Sequence, residues 1–152
     1  MHLDTQFSIF MVNKPGVLSQ ILTELASAKV NIVAMTMMDS VEHGVMRLVG
    51  TSAEHIRTTL NKMNQQFSET QVLCANLPNH AGAFADITSK LAKAHVNISY
   101  AYCTAGARGG RTTAVLKVAD VKKAMKILSN HTADTDNTKT KKSVRRSPTA
   151  RK

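Results

Sequence analysis

The sequence predicts an α+β protein made of two βαββαβ units that share one antiparallel sheet, with the helices on one face. Three observations lead there. The chain repeats itself: a shift of 66 places lays Asn13–Ile32 over Asn79–Ile98, and Asn13, Gly16, Ile21, Leu25, Ala26, Ala28, Val30, Asn31 and Ile32 each meet an identical residue. Within each copy the apolar residues switch between strand-like runs and the three-and-four spacing of a helical face. A chain of 152 residues with such a repeat makes two small units, each burying too little apolar surface alone. They are expected to pack on each other or on a second chain.

The elements follow in order. Residues 6–12, rich in aromatic and β-branched types, read as a first strand stopped by Asn13-Lys-Pro-Gly16. Val17, Leu18, Ile21, Leu22, Leu25 and Ala28 then mark one face of a helix, begun near Pro15 and ended near Lys29, whose charge would suit the helix end. Residues 31–38 and 45–50 form a hairpin. Thr51 and Glu54 have the spacing of a capping box for a second helix with Ile56, Leu60 and Met63 inward. An extended stretch over residues 67–76 finishes the first unit and begins the second. The second unit repeats the order: a helix from about Gly82 to Ala94, strands over 97–104 and 111–118, and a helix capped by Asp120 through Leu128. The expected division is 5–71 for the first unit, 72–130 for the second, without a clear closing strand, and 131–152 for a polar, basic tail predicted to be disordered. Strand, helix, strand, strand, helix, strand is the ferredoxin-like arrangement.

Composition excludes several classes of function. No apolar run approaches the roughly 20 residues of a membrane helix. The first residues do not resemble a secretory signal, so a cytoplasmic chain is expected. The formal net charge of +10 suggests nucleic acid, but half of it lies in the tail, where Lys139, Lys141, Lys142, Arg145, Arg146, Arg151 and Lys152 face only Asp134 and Asp136. The third strand of neither unit carries the aromatics on which an RNA-binding domain of this topology would stack bases. Tyr100 and Tyr102, two apart on a neighbouring strand, share a face and read as ligand lining or core packing.

Cys74 and Cys103 lack metal-ligand spacing and read as reduced residues in strands, and His2, His43, His55, His80, His95 and His131 are scattered. No metal or cofactor is expected. The glycine-rich stretch 105–111 reads as a hairpin loop rather than a phosphate loop, although Arg108 and Arg111 could meet an anion. Met35, Met37 and Met38 suggest adaptable packing or a soft pocket wall. No side chains form a recognisable catalytic constellation.

The repeated loop remains. It leads into a helix whose first N–H groups, those of Gly16, Val17 and Leu18, have no acceptor within the helix, a terminus suited to an anion such as a carboxylate. Gly16 permits close backbone approach, and Asn13 offers both a donor and an acceptor beside it; Gly82 and Asn79 repeat them. The bland alternative is that these residues only build the turn.

Asn13-Lys-Pro-Gly-Val-Leu-Ser-Gln-Ile21 followed by Leu25-Ala-Ser-Ala-Lys-Val-Asn-Ile32 resembles the signature of the ACT domain, a small-molecule sensor attached to many enzymes of amino-acid metabolism. The second copy, without the proline, is similar, and the resemblance covers about residues 5–129. It implies domains paired side by side, with an amino acid held where the loop after strand one meets the second strand of a neighbouring domain. Carried over, the ligand-binding positions are Asn13, Pro15, Gly16, Val17 and Leu18, with Asn79, Gly82, Ala83 and Phe84 in the second copy. Val33, Ala34 and Met35, and Ser99, Tyr100 and Ala101, would form the opposing walls. The implied protein is a non-catalytic, allosteric homodimer that binds an amino acid. Two alternatives stand beside it: the regulatory subunit of an amino-acid biosynthetic enzyme such as acetolactate synthase, whose loop is similar, and a nucleic-acid binder working through the tail.

Overall fold

The computed structural model describes residues 1–39, 43–104 and 110–137. Ten elements follow one another: β1 (His2–Val12), α1 (Val17–Ser27), β2 (Ile32–Asp39), β3 (His43–Gly50), α2 (Ala53–Lys62), β4 (Phe67–Pro78), α3 (Ala83–Lys93), β5 (Ile98–Thr104), β6 (Arg111–Val118) and α4 (Val121–Asn137). The strands make one antiparallel sheet in the order β2-β3-β1-β4-β6-β5. Two ACT-like βαββαβ units are thus laid edge to edge, as the repeat implied.

The two units meet in the β1–β4 pair. Phe67–Cys74 of β4 lie beside β1, closing the first unit, while Leu73–Pro78 lie beside β6, opening the second. β1 works the same way, its His2–Ile9 facing β4 and its Gln6–Val12 facing β3. The repeat shift carries Thr5 onto Gln71, and these two residues are direct partners. A local pseudo-twofold axis therefore passes between them. The start of β1 takes the place beside β4 where a closing strand of the second unit would run; among the described residues no strand follows α4.

Alternation along the strands sends one set of residues to the helices and the other to the opposite face. On the helix side Phe7, Ile9, Met11, Met46 and Leu48 pack under Ile21, Leu25, Ile56 and Leu60. Leu73, Ala75, Leu77, Ala114 and Leu116 pack under Ile87, Leu91, Ala124 and Leu128 in the second unit. Arg57 of α2 forks onto Glu69 of β4 at 2.6 and 2.8 Å, and this hydrogen-bonded guanidinium holds the Glu69 carboxyl below the usual carboxylate range.

The opposite face curls on itself. In a flat sheet β3 and β5, four strands apart, would be separated by about 19 Å at the usual strand spacing. Yet the Arg47 guanidinium of β3 lies 3.7 Å from the ring centre of Tyr100 on β5. Ala34, Val49, Val72, Cys74 and Val115 form a small buried cluster inside the curl.

Several local expectations are corrected. The α2 N-cap is Ser52, whose hydroxyl accepts from the His55 N–H at 3.2 Å; Thr51 instead accepts from the Asn31 N–H, tying the helix entry to the α1–β2 loop. β1 begins at His2 rather than Gln6, because its first residues have β4 to pair with. α4 continues past Leu128 to Asn137; the rest of the tail lies outside the described residues, as do residues 40–42 and 105–109. α1 ends at Ser27, with no basic residue in its last turn. Val30 N–H reaches back to the Leu25 carbonyl and Lys29 N–H to Ala26, a Schellman closure in which Lys29 takes φ 57°. α3 closes identically, with His95 at φ 53° and Val96 bonded to Leu91.

A left-handed residue with a side chain is costly where glycine is not. Lys29→Gly and His95→Gly are each expected to stabilise the chain by about 1 kcal/mol, read as a rise in the urea midpoint at unchanged slope. Gly50 has the opposite sign: a Cβ there would lie 2.9 Å from Ile56 Cδ1 and 3.0 Å from Val30 Cγ1, so Gly50→Ala should cost about 1–3 kcal/mol through overpacking.

Candidate ligand site at the two helix starts

Both copies of the repeated loop fold alike. Lys14 N–H donates to the Val12 carbonyl at 2.9 Å and His80 N–H to Pro78 at 3.0 Å, tight turns centred on Asn13 and Asn79. Lys14-Pro15-Gly16-Val17 then has the form of a type II turn, with proline second and a left-handed glycine third. Val17 N–H closes it on the Lys14 carbonyl at 3.4 Å, and Ala83 N–H closes its counterpart on His80 at 3.3 Å. Gly16 has φ 90° and Gly82 φ 91°. A Cβ at either would meet nothing within 4 Å, so backbone conformation, not crowding, demands glycine here.

These glycines are also the N-caps of α1 and α3, and neither helix has a side-chain cap. The closing bond uses the Val17 amide, which corrects the expectation that Val17 would be free. The amides left without an acceptor within the helix are those of Leu18 and Ser19, and of Phe84 and Ala85. They lie beside an exposed glycine backbone, where a carboxylate could accept from them with the helix dipole aligned in its favour. The second loop is braced further, its Asn79 N–H donating to the Gly110 carbonyl at 3.0 Å.

The side chains divide by role. Asn13, Pro15 and Gly16 are exposed, while Val17 and Leu18 rest on the first core. In the second copy Gly82 is exposed, Asn79 half-buried, Ala83 buried, and Phe84 packed on the second core. The expected walls fall in different places. Met35 packs on the helix-side core, Ala34 lies inside the curl with Val33 against its cluster, and Ser99 and Ala101 are exposed on β5. Sheet order places β4 and β6 between β1, with its loop, and β5. Arg111 is committed elsewhere, donating to the Asn76 carbonyl at 3.0 Å, and Arg108 lies outside the described residues. A shallow groove of about 520 Å³ between the end of α3 and the start of β5, lined by Thr88, His95 and Asn97, touches neither loop.

Inside the curl is a polar group that sequence reasoning missed. Gln6 is wholly buried; its amide nitrogen donates to the Tyr100 hydroxyl at 2.8 Å, and its amide oxygen accepts from the Tyr102 hydroxyl at 3.1 Å. Burial pushes the Tyr102 phenol well above its ordinary range, keeping it a donor. Arg47 covers Tyr100, and its Nε has no hydrogen-bond partner among the described residues. The signal was present, since the repeat places Val72 where the first unit has Gln6. The tyrosines are therefore bound to the interior.

The fold and the paired glycine turns define the class. The chain belongs to the ACT domain pair family, whose description matches residues 2–142. Such pairs are small-ligand-binding regulatory modules. Solved structures share the architecture. Protein BT0572 from Bacteroides thetaiotaomicron is 24% identical with a TM-score of 0.79, covering 86% of this chain and 89% of its own. The ligand-free regulatory subunit of aspartate kinase from Thermus thermophilus is 11% identical with a TM-score of 0.63, covering 85% and 94%. The corresponding subunit from Thermus flavus is 12% identical with a TM-score of 0.55, covering 85% and 93%. Comparison with functionally curated sequences gives no significant match. Among the described residues no helix is long and apolar enough to cross a membrane.

Replacing Gln6 by Leu should cost about 1–3 kcal/mol, because the Tyr100 and Tyr102 hydroxyls lose their partner. Denaturant unfolding of Gln6→Leu measures this, and a change within error of zero would show that the hydroxyls find other partners.

Proposed function

We propose that this chain is a non-catalytic regulator that binds an amino acid by its carboxylate at the two helix starts, Asn13–Leu18 and Asn79–Phe84. The observation that carries the reading is the pair of exposed, left-handed glycine N-caps, each heading a helix without a side-chain cap. An anion there accepts from two adjacent amides and gains from the dipole, about 0.3–1 kcal/mol at an exposed site and more once partly buried. In this reading the side-chain oxygens of Asn13 and Asn79 receive the ligand's amino group.

A helix start alone holds an amino acid weakly, so a second wall is needed. The wall is assigned to a neighbouring copy, with the exposed Ser99 and Ala101 of β5 facing the loop across a homodimer. The apolar residues Phe10, Val12, Ile32, Met37 and Met38 stay exposed in one chain, consistent with such an association. The two sites are not equivalent: Ala81 replaces the proline, and Phe84 replaces Leu18 at the helix start.

Thermal unfolding in the presence of each of the twenty amino acids tests this reading. A ligand at 100 times its Kd should stabilise the chain by about 2.7 kcal/mol, a shift of several degrees. Gly16→Ala and Gly82→Ala, each strained by about 1–3 kcal/mol at a positive φ, should each remove binding at one site while the other still responds. Absence of a shift with all twenty would contradict the proposal.

A further inference from the structure

The pairing of β1 with β4 creates a cluster that no spacing in the sequence announces. His2 and Cys74 are direct partners across the antiparallel ladder, so their side chains stand on the same face about 5 Å apart at Cβ. Asp4, two residues along β1, lies on that face as well and is diagonal to Cys74. One ligand-type atom from each of the three, imidazole nitrogen, carboxylate oxygen and thiol sulfur, lies within 4.8 Å of the other two. His2 Nε2 is 3.6 Å from Asp4 Oδ2.

We propose that His2, Asp4 and Cys74 form a binding site for a divalent transition-metal ion of the zinc class, which staples the start of β1 to β4. The donor set combines nitrogen, oxygen and sulfur, the mixture that zinc accepts and that magnesium and calcium do not. A tetrahedral zinc site holds its donor atoms ~3.3–3.8 Å apart, given bonds of about 2.0–2.3 Å. Closing from 4.8 Å asks only for small side-chain rotations, and His2, the most exposed of the three, is free to make them.

The surroundings suit the role. The Thr5 N–H donates to Asp4 Oδ1 at 2.8 Å, fixing the carboxylate and leaving Oδ2 turned toward His2. Hydrogen bonds of this kind orient metal ligands. Cys74 is backed by the buried cluster of Val72, Val115 and the partly buried Tyr102, so its sulfur faces a site that is apolar on one side. Against this, burial, with Asp4 nearby, pushes the free Cys74 thiol up to about 11, so a bound divalent ion has to displace that proton to take the thiolate.

The fold itself does not require these residues. The pseudo-twofold axis carries His2 to Ser68, Asp4 to Thr70 and Cys74 to Ser8, and Ser8 and Ser68 are partners just as His2 and Cys74 are. The same backbone thus carries three hydroxyls at one end of the β1–β4 pair and a nitrogen, oxygen and sulfur set at the other. The set stands where the second unit borrows β1 in place of a closing strand, which is where a staple would add most.

The full chain, without added histidines and stripped by chelator, can be titrated with Co²⁺ and followed by absorption. One ion per chain should bind, with a near-ultraviolet sulfur-to-cobalt charge-transfer band. Cys74→Ser, which installs the residue its symmetry mate carries, should abolish the band, and Cys103→Ser should leave it intact. His2→Gln, at an exposed position that leaves the core untouched, and Asp4→Asn should each weaken binding at least tenfold. Zn²⁺ should raise the melting temperature of the parent chain but not of His2→Gln. No band at millimolar Co²⁺, a band that follows Cys103, or metal affinity unchanged in His2→Gln would overturn the proposal.

Discussion

Everything in this molecule depends on the antiparallel pairing of β1 with β4. Strands related by the 66-residue repeat each do two jobs: the front of β4 closes the first unit and its back opens the second, and β1 does the same in reverse. Two units of this size would each bury little surface alone. Sharing the central pair gives them a continuous ladder and removes two edges that would otherwise invite aggregation. The axis between Thr5 and Gln71 is the geometrical expression of that economy.

The same pairing decides where chemistry can occur. Because four strands flank the central pair and the sheet curls, one face is consumed by the helices and much of the other by contacts such as Gln6 with Tyr100 and Tyr102, and Arg47 over Tyr100. Tyr100 and Tyr102, which read as ligand lining or core packing in the sequence, are thereby used as structure. What stays open lies at the ends of the strands. At the far ends of β1 and β4 the chain turns through Gly16 and Gly82 and presents helix amides; at the near end of β1, His2 and Asp4 meet Cys74. The proposed ligand site is largely backbone, which accounts for the absence of a recognisable side-chain constellation in it.

Much of the fold was legible because the repeat falls on residues with strong local meaning. Ile21, Leu25 and Val30 recur as Ile87, Leu91 and Val96, and these are the residues that fill the cores and close the helices. The turn was legible too, since Pro15 and Gly16 specify it locally. The capping of α2 by Ser52 rather than Thr51 was a matter of one residue, settled by the bond between Thr51 and Asn31, which is a tertiary contact. What could not be read depends on register between distant strands. No local pattern says that Arg47 will meet Tyr100 or that His2 will stand opposite Cys74. Nor does the repeated glycine show that the Val17 amide closes the turn and leaves the next two amides without an acceptor within the helix.

The central claim is that paired glycine turns expose helix amides to a ligand carboxylate, and amide-resolved NMR tests it most directly. Upon addition of a binding amino acid, the account predicts shifts concentrated at Gly16, Leu18 and Ser19 and at Gly82, Phe84 and Ala85, with smaller changes on β5. Shifts confined to the inner face around Gln6, Arg47 and Tyr100, with the helix-start amides unmoved, would contradict it.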